Sequence, residues 1–205
     1  MTIELKKSNS KEVAIAAQLI YSSGPDAFEY VFKNKQVTAV DFLKHAFVRE
    51  GGEFSFDNHH SLYVGGKMVG IGSVFNAKQA GTFTKADAFN ILRFYKWKSP
   101  AVLRHGFQVE AMIKLPKKQE IVLAHLGVLP ELRSKGYGKQ LIAKLMERAK
   151  KVSTSRFVLD VSEENPRAKA LYERLGFAVT KKYDSTLKNK FSYVPNHFRM
   201  ELIPS

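Results

Sequence analysis

Six consecutive residues, Arg133-Ser134-Lys135-Gly136-Tyr137-Gly138, have the composition of an anion cradle. They follow a β-like apolar run, Ile121 to Leu129, closed by Pro130. They precede Leu141, Ile142, Leu145, Met146 and Ala149, which recur at helical spacing. Strand, glycine-bearing loop and helix thus fill the stretch 121–151. The first N–H groups of a helix lack intrahelical partners, and the helix dipole is positive there. Glycine has no Cβ to keep an anion away from those groups. Arg133, Lys135 and Lys139 add positive charge, so the implied chemistry is binding of a phosphate or pyrophosphate. A plain tight turn uses the same G-x-G spacing. The loop is not a P-loop, which needs G-x-x-x-x-G-K-[ST], nor a G-x-G-x-x-G turn, because residue 141 is Leu.

The loop resembles the acyl-CoA loop of the GNAT superfamily, the acyl-CoA-dependent N-acetyltransferases, whose pattern is R/Q-x-x-G-x-G/A. Arg133, Gly136 and Gly138 fill the fixed positions. The flank Leu126-Gly127-Val128-Leu129-Pro130 is similar to the central strand of that family and its proline exit. A second family pattern, h-x-V-x-x-x-N-x-x-A-x-x-h-Y-x-x-x-G-F, is filled by Leu159, Val161, Asn165, Ala168, Leu171, Tyr172, Gly176 and Phe177. The two motifs cover residues 120–177 in the right order. The resemblance implies an α/β fold, a mixed, strongly twisted sheet flanked by helices on both faces. It implies acetyl-CoA as co-substrate and no metal. The central strand would splay from its neighbour, and Leu126, Gly127 and Val128 would pair with the pantetheine arm. Arg133 through Gly138 and Lys139 would hold the pyrophosphate, and Asn165 would bind the coenzyme or cap its helix.

Acetyl transfer to an amine needs a neutral nucleophile, although a free ammonium has a pKa near 10. It needs donors for the developing oxyanion and a proton for the leaving thiolate. The resemblance implies that Tyr172 protonates the coenzyme sulfur. In family members that acetylate ribosomal-protein N-termini a Glu lies five residues before the motif Asn, and Asp160 keeps that spacing before Asn165. Asp160 is therefore the expected base, acting through water or by orienting the amine. Its alternative is pairing with a nearby cation. His125 is the rival base, because a neutral imidazole is better suited near pH 7, but strand alternation could turn it away from the cleft.

The elements that must position these groups are legible along most of the chain. Residues 2–5 suit an edge strand, and Asn9 with Glu12 forms a capping box before Val13, Ala16, Ala17 and Ile20. A second helix carries Phe28, Val31 and Phe32, and a third, capped by Thr38, carries Phe42, Ala46 and Phe47. His59 and His60 are adjacent, so on a strand they face opposite ways and make a poor metal pair; they are expected at the surface. Ser61–Val64, Gly65-Gly66 and Lys67–Phe75 read as a hairpin. Gly70 and Gly72 leave room for a close neighbour. A helix starting at Thr84 and Asp87, then another beyond Pro100 through Leu103, Phe107 and Met112, make 77–119 a helical insertion within one domain spanning 1–205. That segment would line an acceptor site, pack on the sheet or contact a second copy. Arg156–Ser162 is the next strand, Asn165 caps a helix with Pro166 at its start, and the tail from Ala178 to Leu202 closes as a hairpin.

Composition bounds the rest. The 205 residues suit one domain, and 44% hydrophobic content supplies a core. There is no cysteine, hence no disulfide or thiolate chemistry. No apolar run is long enough to cross a membrane, and MTIELKKSNSKEV lacks a signal-peptide core, so a cytoplasmic protein is the expectation. The net charge of +14 suits polyanionic partners. Plain solubility is the favoured reading of that charge, and a nucleic acid or ribosome the less favoured one. The acceptor, a small-molecule or protein amine, is left open, as is a homodimer. The alternative function is a non-enzymatic acyl-CoA binder or an RNA- or ribosome-associated protein on the same fold.

Overall fold

Among the described residues seven strands form one mixed sheet in the order β1-β2-β3-β4-β5-β7-β6. In chain order they are β1 (Ile3–Lys7), β2 (His59–Val64), β3 (Lys67–Asn76), β4 (Glu120–Val128), β5 (Arg156–Ser162), β6 (Phe177–Tyr183) and β7 (His197–Leu202). The computed structural model describes residues 2–150 and 156–202. Lys151, the last residue of the stretch that carries the glycine loop, lies outside them. The α/β reading, with a mixed sheet and helices on both faces, holds.

Among the described residues only β4 and β5 run parallel, and they pair there at Glu120–Arg156, Ile121–Phe157 and Val122–Val158 alone. Past Val122 the two strands part, as expected of the central strand. On the other side β4 stays paired with β3, from Asn76–Ile121 to Gly70–Val128, with an irregularity opposite Gly72. That irregularity is a bulge on β4. Its residue His125 has φ 53°, a left-handed conformation that side chains rarely adopt.

One face is covered by α1 (Val13–Tyr21), α2 (Pro25–Phe32), α3 (Ala39–Phe47), α4 (Ala77–Tyr95) and α5 (Ser99–Met112). Their apolar stripes meet in a core that includes Leu19, Ile20, Phe42, Phe47, Ile71 and Tyr95. The opposite face carries α6 (Tyr137–Lys150) and α7 (Pro166–Arg174). There Leu141, Ile142 and Leu145 are almost wholly buried against Leu62, Leu159 and Met200. Burying each such side chain contributes about 1.5–3 kcal/mol. A Cβ on Gly72 would sit 2.8 Å from Leu145 and 2.9 Å from Leu126, so α6 lies directly on β3, and the small residue there is needed.

Three expectations change. The α4 helix begins at Ala77, capped by Asn76 and Gln79, not at Thr84. Thr84 and Asp87 lie inside it, and Asp87 instead accepts from the Glu53 N–H at 3.1 Å. Pro100 sits in the first turn of α5, where its missing N–H costs nothing. His59 and His60 do face opposite ways, but they are buried, at 0% and 6% exposure, rather than at the surface. β2 is an interior strand, so both of its faces are covered.

Candidate active site

The glycine loop opens on a cleft of about 450 Å³ on the α6–α7 face. Gly136 has φ 84°, and nothing lies within 4 Å of the place where its Cβ would be. Backbone conformation therefore demands glycine at 136, and the space beside it is open. Ser134 also has positive φ, 63°, and its hydroxyl accepts from Arg167 Nη2 at 2.5 Å. Arg133 folds back, donating from Nε to the Val128 carbonyl at 3.2 Å. These contacts hold the loop so that the first turn of α6 faces the cleft.

Nine of the residues expected to touch the coenzyme line this cleft. Leu126, Gly127 and Val128 come from β4; Arg133, Ser134, Gly136, Gly138 and Lys139 from the loop and α6; Asn165 from the start of α7. Gly127 has a second reason to be glycine: a side chain there would strike the Leu19 carbonyl at the end of α1. Asn165 caps α7, its Oδ1 accepting from Ala168 N at 3.1 Å. Lys135 and Tyr137 do not line the cleft. Lys135 is exposed, and the Tyr137 ring packs half-buried against the core under α6. Five residues that the patterns do not fix also reach the cleft, namely Ser22, Leu141, Ile142, Arg167 and Arg174. The two arginines lie on the α7 motif helix, at positions that the pattern leaves free.

Tyr172 lines the same cleft from α7 and is 8% exposed. Its ring packs edge-on to Phe177 at 6.3 Å. Burial pushes its pKa up to about 12, so the phenol keeps its proton across the neutral range. That makes it a standing donor beside the cleft.

Asp160, the expected base, is held in an ion pair. Its two oxygens accept from Arg199 Nε at 3.0 Å and Nη2 at 2.7 Å. Arg199 also donates to the Lys114 carbonyl at 2.6 Å and lies 3.7 Å from the buried Glu120. The Arg199 and Asp160 side chains are 7% and 12% exposed. A carboxylate with both oxygens on one guanidinium is fixed in position and held in its charged form. Asp160 occupies the alternative considered from the start, a strand carboxylate paired with a cation.

His125 takes the opposite course. The bulge breaks strand alternation and turns its ring to the α1–α5 face, between Phe28 and Phe54, with centroids at 6.1 and 5.2 Å. Its Nδ1 lies 3.1 Å from His59 Nε2, and its Nε2 lies 3.4 Å from Glu53 Oε1. Glu53 also lines a smaller cavity of about 90 Å³ beneath α4 and α5, together with Asp87 and Glu110. Burial and the Glu53 charge push the Asp87 pKa up to about 8, and the same causes raise Glu110. Sequence reasoning had no signal for Glu53 or for the bulge.

A profile described as the acetyltransferase (GNAT) family matches residues 25–177. The 5-NmdU N-acetyltransferase of Pseudomonas phage PaMx11 is 30% identical over 97 residues, 47% of this chain. The match spans 65% of the phage protein. Among solved structures, an N-acetyltransferase from Staphylococcus aureus Mu50 superposes with TM-score 0.70 at 14% identity, covering 97% of this chain and 99% of that one. A Bacillus subtilis acetyltransferase in complex with CoA superposes with TM-score 0.54 at 15% identity, covering 99% and 98%.

Proposed function

The chain belongs to the acetyltransferase (GNAT) family, and from that premise we propose that it moves an acetyl group from acetyl-CoA to a primary amine by direct attack in a ternary complex. The observation that carries the proposal is the loop 133–138, whose positive-φ Gly136 opens the first turn of α6 to a cleft that also holds Tyr172. The pyrophosphate sits on the N–H groups of that turn, with Arg133, Lys139 and Arg167 supplying charge. The pantetheine arm runs along the β4 edge at Leu126–Val128, which β5 leaves unpaired among the described residues. The thioester then lies at the opening between β4 and β5. Tyr172 gives its proton to the departing thiolate. The amine enters from the opposite face, where the inserted segment 77–119, as part of the same domain, forms one wall of the acceptor side.

Acetyl-CoA supplies the acyl group and the leaving thiol. The residues named above bind it, orient it and protonate its sulfur. The test is release of coenzyme A thiol from acetyl-CoA in the presence of pooled small amines, peptide α- and ε-amines, and 5-NmdU, the compound in the phage relative's name. Protein-dependent release with one amine class supports the proposal. Tight acetyl-CoA binding with no release for any class would favour the non-enzymatic binder.

A further inference from the structure

The coenzyme cleft supplies no base for acceptor deprotonation, and Asp160 is paired with Arg199. We infer that His125 fills that role through Nε2, with His59 as the positioning residue that fixes which ring nitrogen is free and Glu53 as the carboxylate that receives the charge. This rests on the acetyltransferase reading and deepens it.

The Ser55 backbone carbonyl lies 2.8 Å from His59 Nδ1 and can only accept, so His59 carries its proton on Nδ1. His59 is fully buried, and desolvation holds its pKa well below the usual imidazole value, so it stays neutral. Its Nε2 is then a bare lone pair. His125 Nδ1, 3.1 Å away, must donate to it. The rings also lie nearly parallel, with centroids 5.2 Å apart and 18° between planes. With Nδ1 holding a proton, neutral His125 has its lone pair on Nε2. That nitrogen points to Glu53 Oε1 at 3.4 Å, where two acceptors meet unless a proton arrives. The geometry is that of a base waiting for a proton, with a carboxylate placed to stabilise the imidazolium.

The β4 bulge explains why this residue is available. A non-glycine residue at φ 53° costs about 1–3 kcal/mol, and such strain gathers at functional sites. Without the bulge, His125 would follow the alternation of β4. With it, the ring faces the side of the sheet opposite α6 and α7, one residue before Leu126 at the coenzyme cleft. Base and thioester therefore approach the amine from different sides.

The proton balance is as follows. The acceptor arrives as R–NH3⁺ and gives one proton to His125 Nε2. The neutral amine attacks the thioester carbon, forming the C–N bond, and the C–S bond breaks. Tyr172 protonates the departing thiolate, and the nitrogen's second proton returns through solvent to the Tyr172 phenolate, yielding the thiol, the amide and the neutral phenol. The imidazolium passes its proton to solvent by way of Glu53, whose side chain is 36% exposed. Other titratable groups bearing on the pair are Asp87 of α4 and Glu110 of α5, both of which repel charge on Glu53. The α2 helix presents the uncharged Phe28.

Two measurements test this. Long-range ¹H–¹⁵N spectra of the wild-type protein near pH 8 should show His59 and His125 both protonated at Nδ1 and bare at Nε2. An Nε2–H tautomer at His125 would overturn the assignment, and this readout needs neither a variant nor an acceptor. With an acceptor that turns over, His125→Gln should lower kcat by about 10²–10⁴-fold near neutral pH, with the defect shrinking as pH rises and more amine is already neutral. Glu53→Gln removes the carboxylate beside His125 Nε2, so kcat should fall with acetyl-CoA Kd unchanged, and Glu53→Asp should recover part of that loss. A merely structural role for Glu53 would show no recovery of kcat in the Asp variant over the Gln variant. Wild-type turnover with an unimpaired His125→Gln would overturn the base and leave the acetyltransferase reading intact. No wild-type turnover with any amine would overturn both.

Discussion

Asp160→Asn should be a stability defect, not a catalytic one. The substitution keeps the shape and one acceptor oxygen but removes the charge facing Arg199. The pair it breaks is close, at 2.7 and 3.0 Å, and nearly closed to solvent. Removing one partner of a buried pair typically costs about 3–5 kcal/mol, because the other charge is left uncompensated. Here Arg199 keeps Glu120 at 3.7 Å, the Lys114 carbonyl and the Tyr183 ring at 5.9 Å. Those partners place the cost at the low end, about 3 kcal/mol. For a chain of 205 residues each kcal/mol lowers Tm by about 2–4 °C, so the expected drop is about 6–12 °C. Scanning calorimetry on the variant measures it, and kcat on the fraction still folded at low temperature should fall less than tenfold. An unchanged Tm together with a hundredfold loss of kcat that recovers at high pH would refute the reasoning. It would return the base role to Asp160.

Tyr172→Phe keeps the ring and its packing on Phe177 while removing the donor, so kcat should fall about 10²–10⁴-fold with acetyl-CoA Kd little changed. Because the folded phenol stays protonated up to about pH 12, raising the pH to 9 should not erase that difference. His60 is buried with neither ring nitrogen hydrogen-bonded among the described residues, and burial holds its pKa at about 4. A depressed folded pKa means that the unfolded chain binds the extra proton, so stability falls as pH drops from about 6.5 toward 4. His60→Leu should therefore raise Tm more at pH 5 than at pH 8; an equal change at both would contradict this. Asp87 runs the other way. Its raised pKa, about 8, means that stability falls as pH climbs from about 4 to 8, and Asp87→Asn should flatten that decline in thermal melts.

The parts of the fold written in local rules were legible in the sequence. The Asn9 and Thr38 capping boxes, the Gly65-Gly66 hairpin, and the Asn165–Pro166 helix start all rest on neighbours within a few residues. The strand–loop–helix of the coenzyme cleft was legible for the same reason. What was not legible depends on distant partners. Asp160 was assigned by its spacing to Asn165, and that spacing gives no sign of its ion pair with Arg199, 39 residues on across the β5–β7 pair. His59 was placed at the surface because nothing local says that β2 is flanked on both edges and covered on both faces. The β4 bulge at His125 has no sequence mark, since a glycine would be the expected residue at that φ. Tyr137 fits the loop pattern by position, yet its side chain serves the core under α6.

The claim on which the rest stands is that the loop 133–138 and the first turn of α6 hold the coenzyme pyrophosphate. Calorimetric titration of acetyl-CoA into the wild type and Gly136→Glu tests it most directly. Space is open at Gly136, so the variant should fold, at a cost of roughly 1–2 kcal/mol for a side chain in the left-handed region. Saturable binding by the wild type, with at least a hundredfold weaker binding by a variant whose melt remains cooperative, is the predicted result. Equal affinity in the two folded proteins would contradict the account.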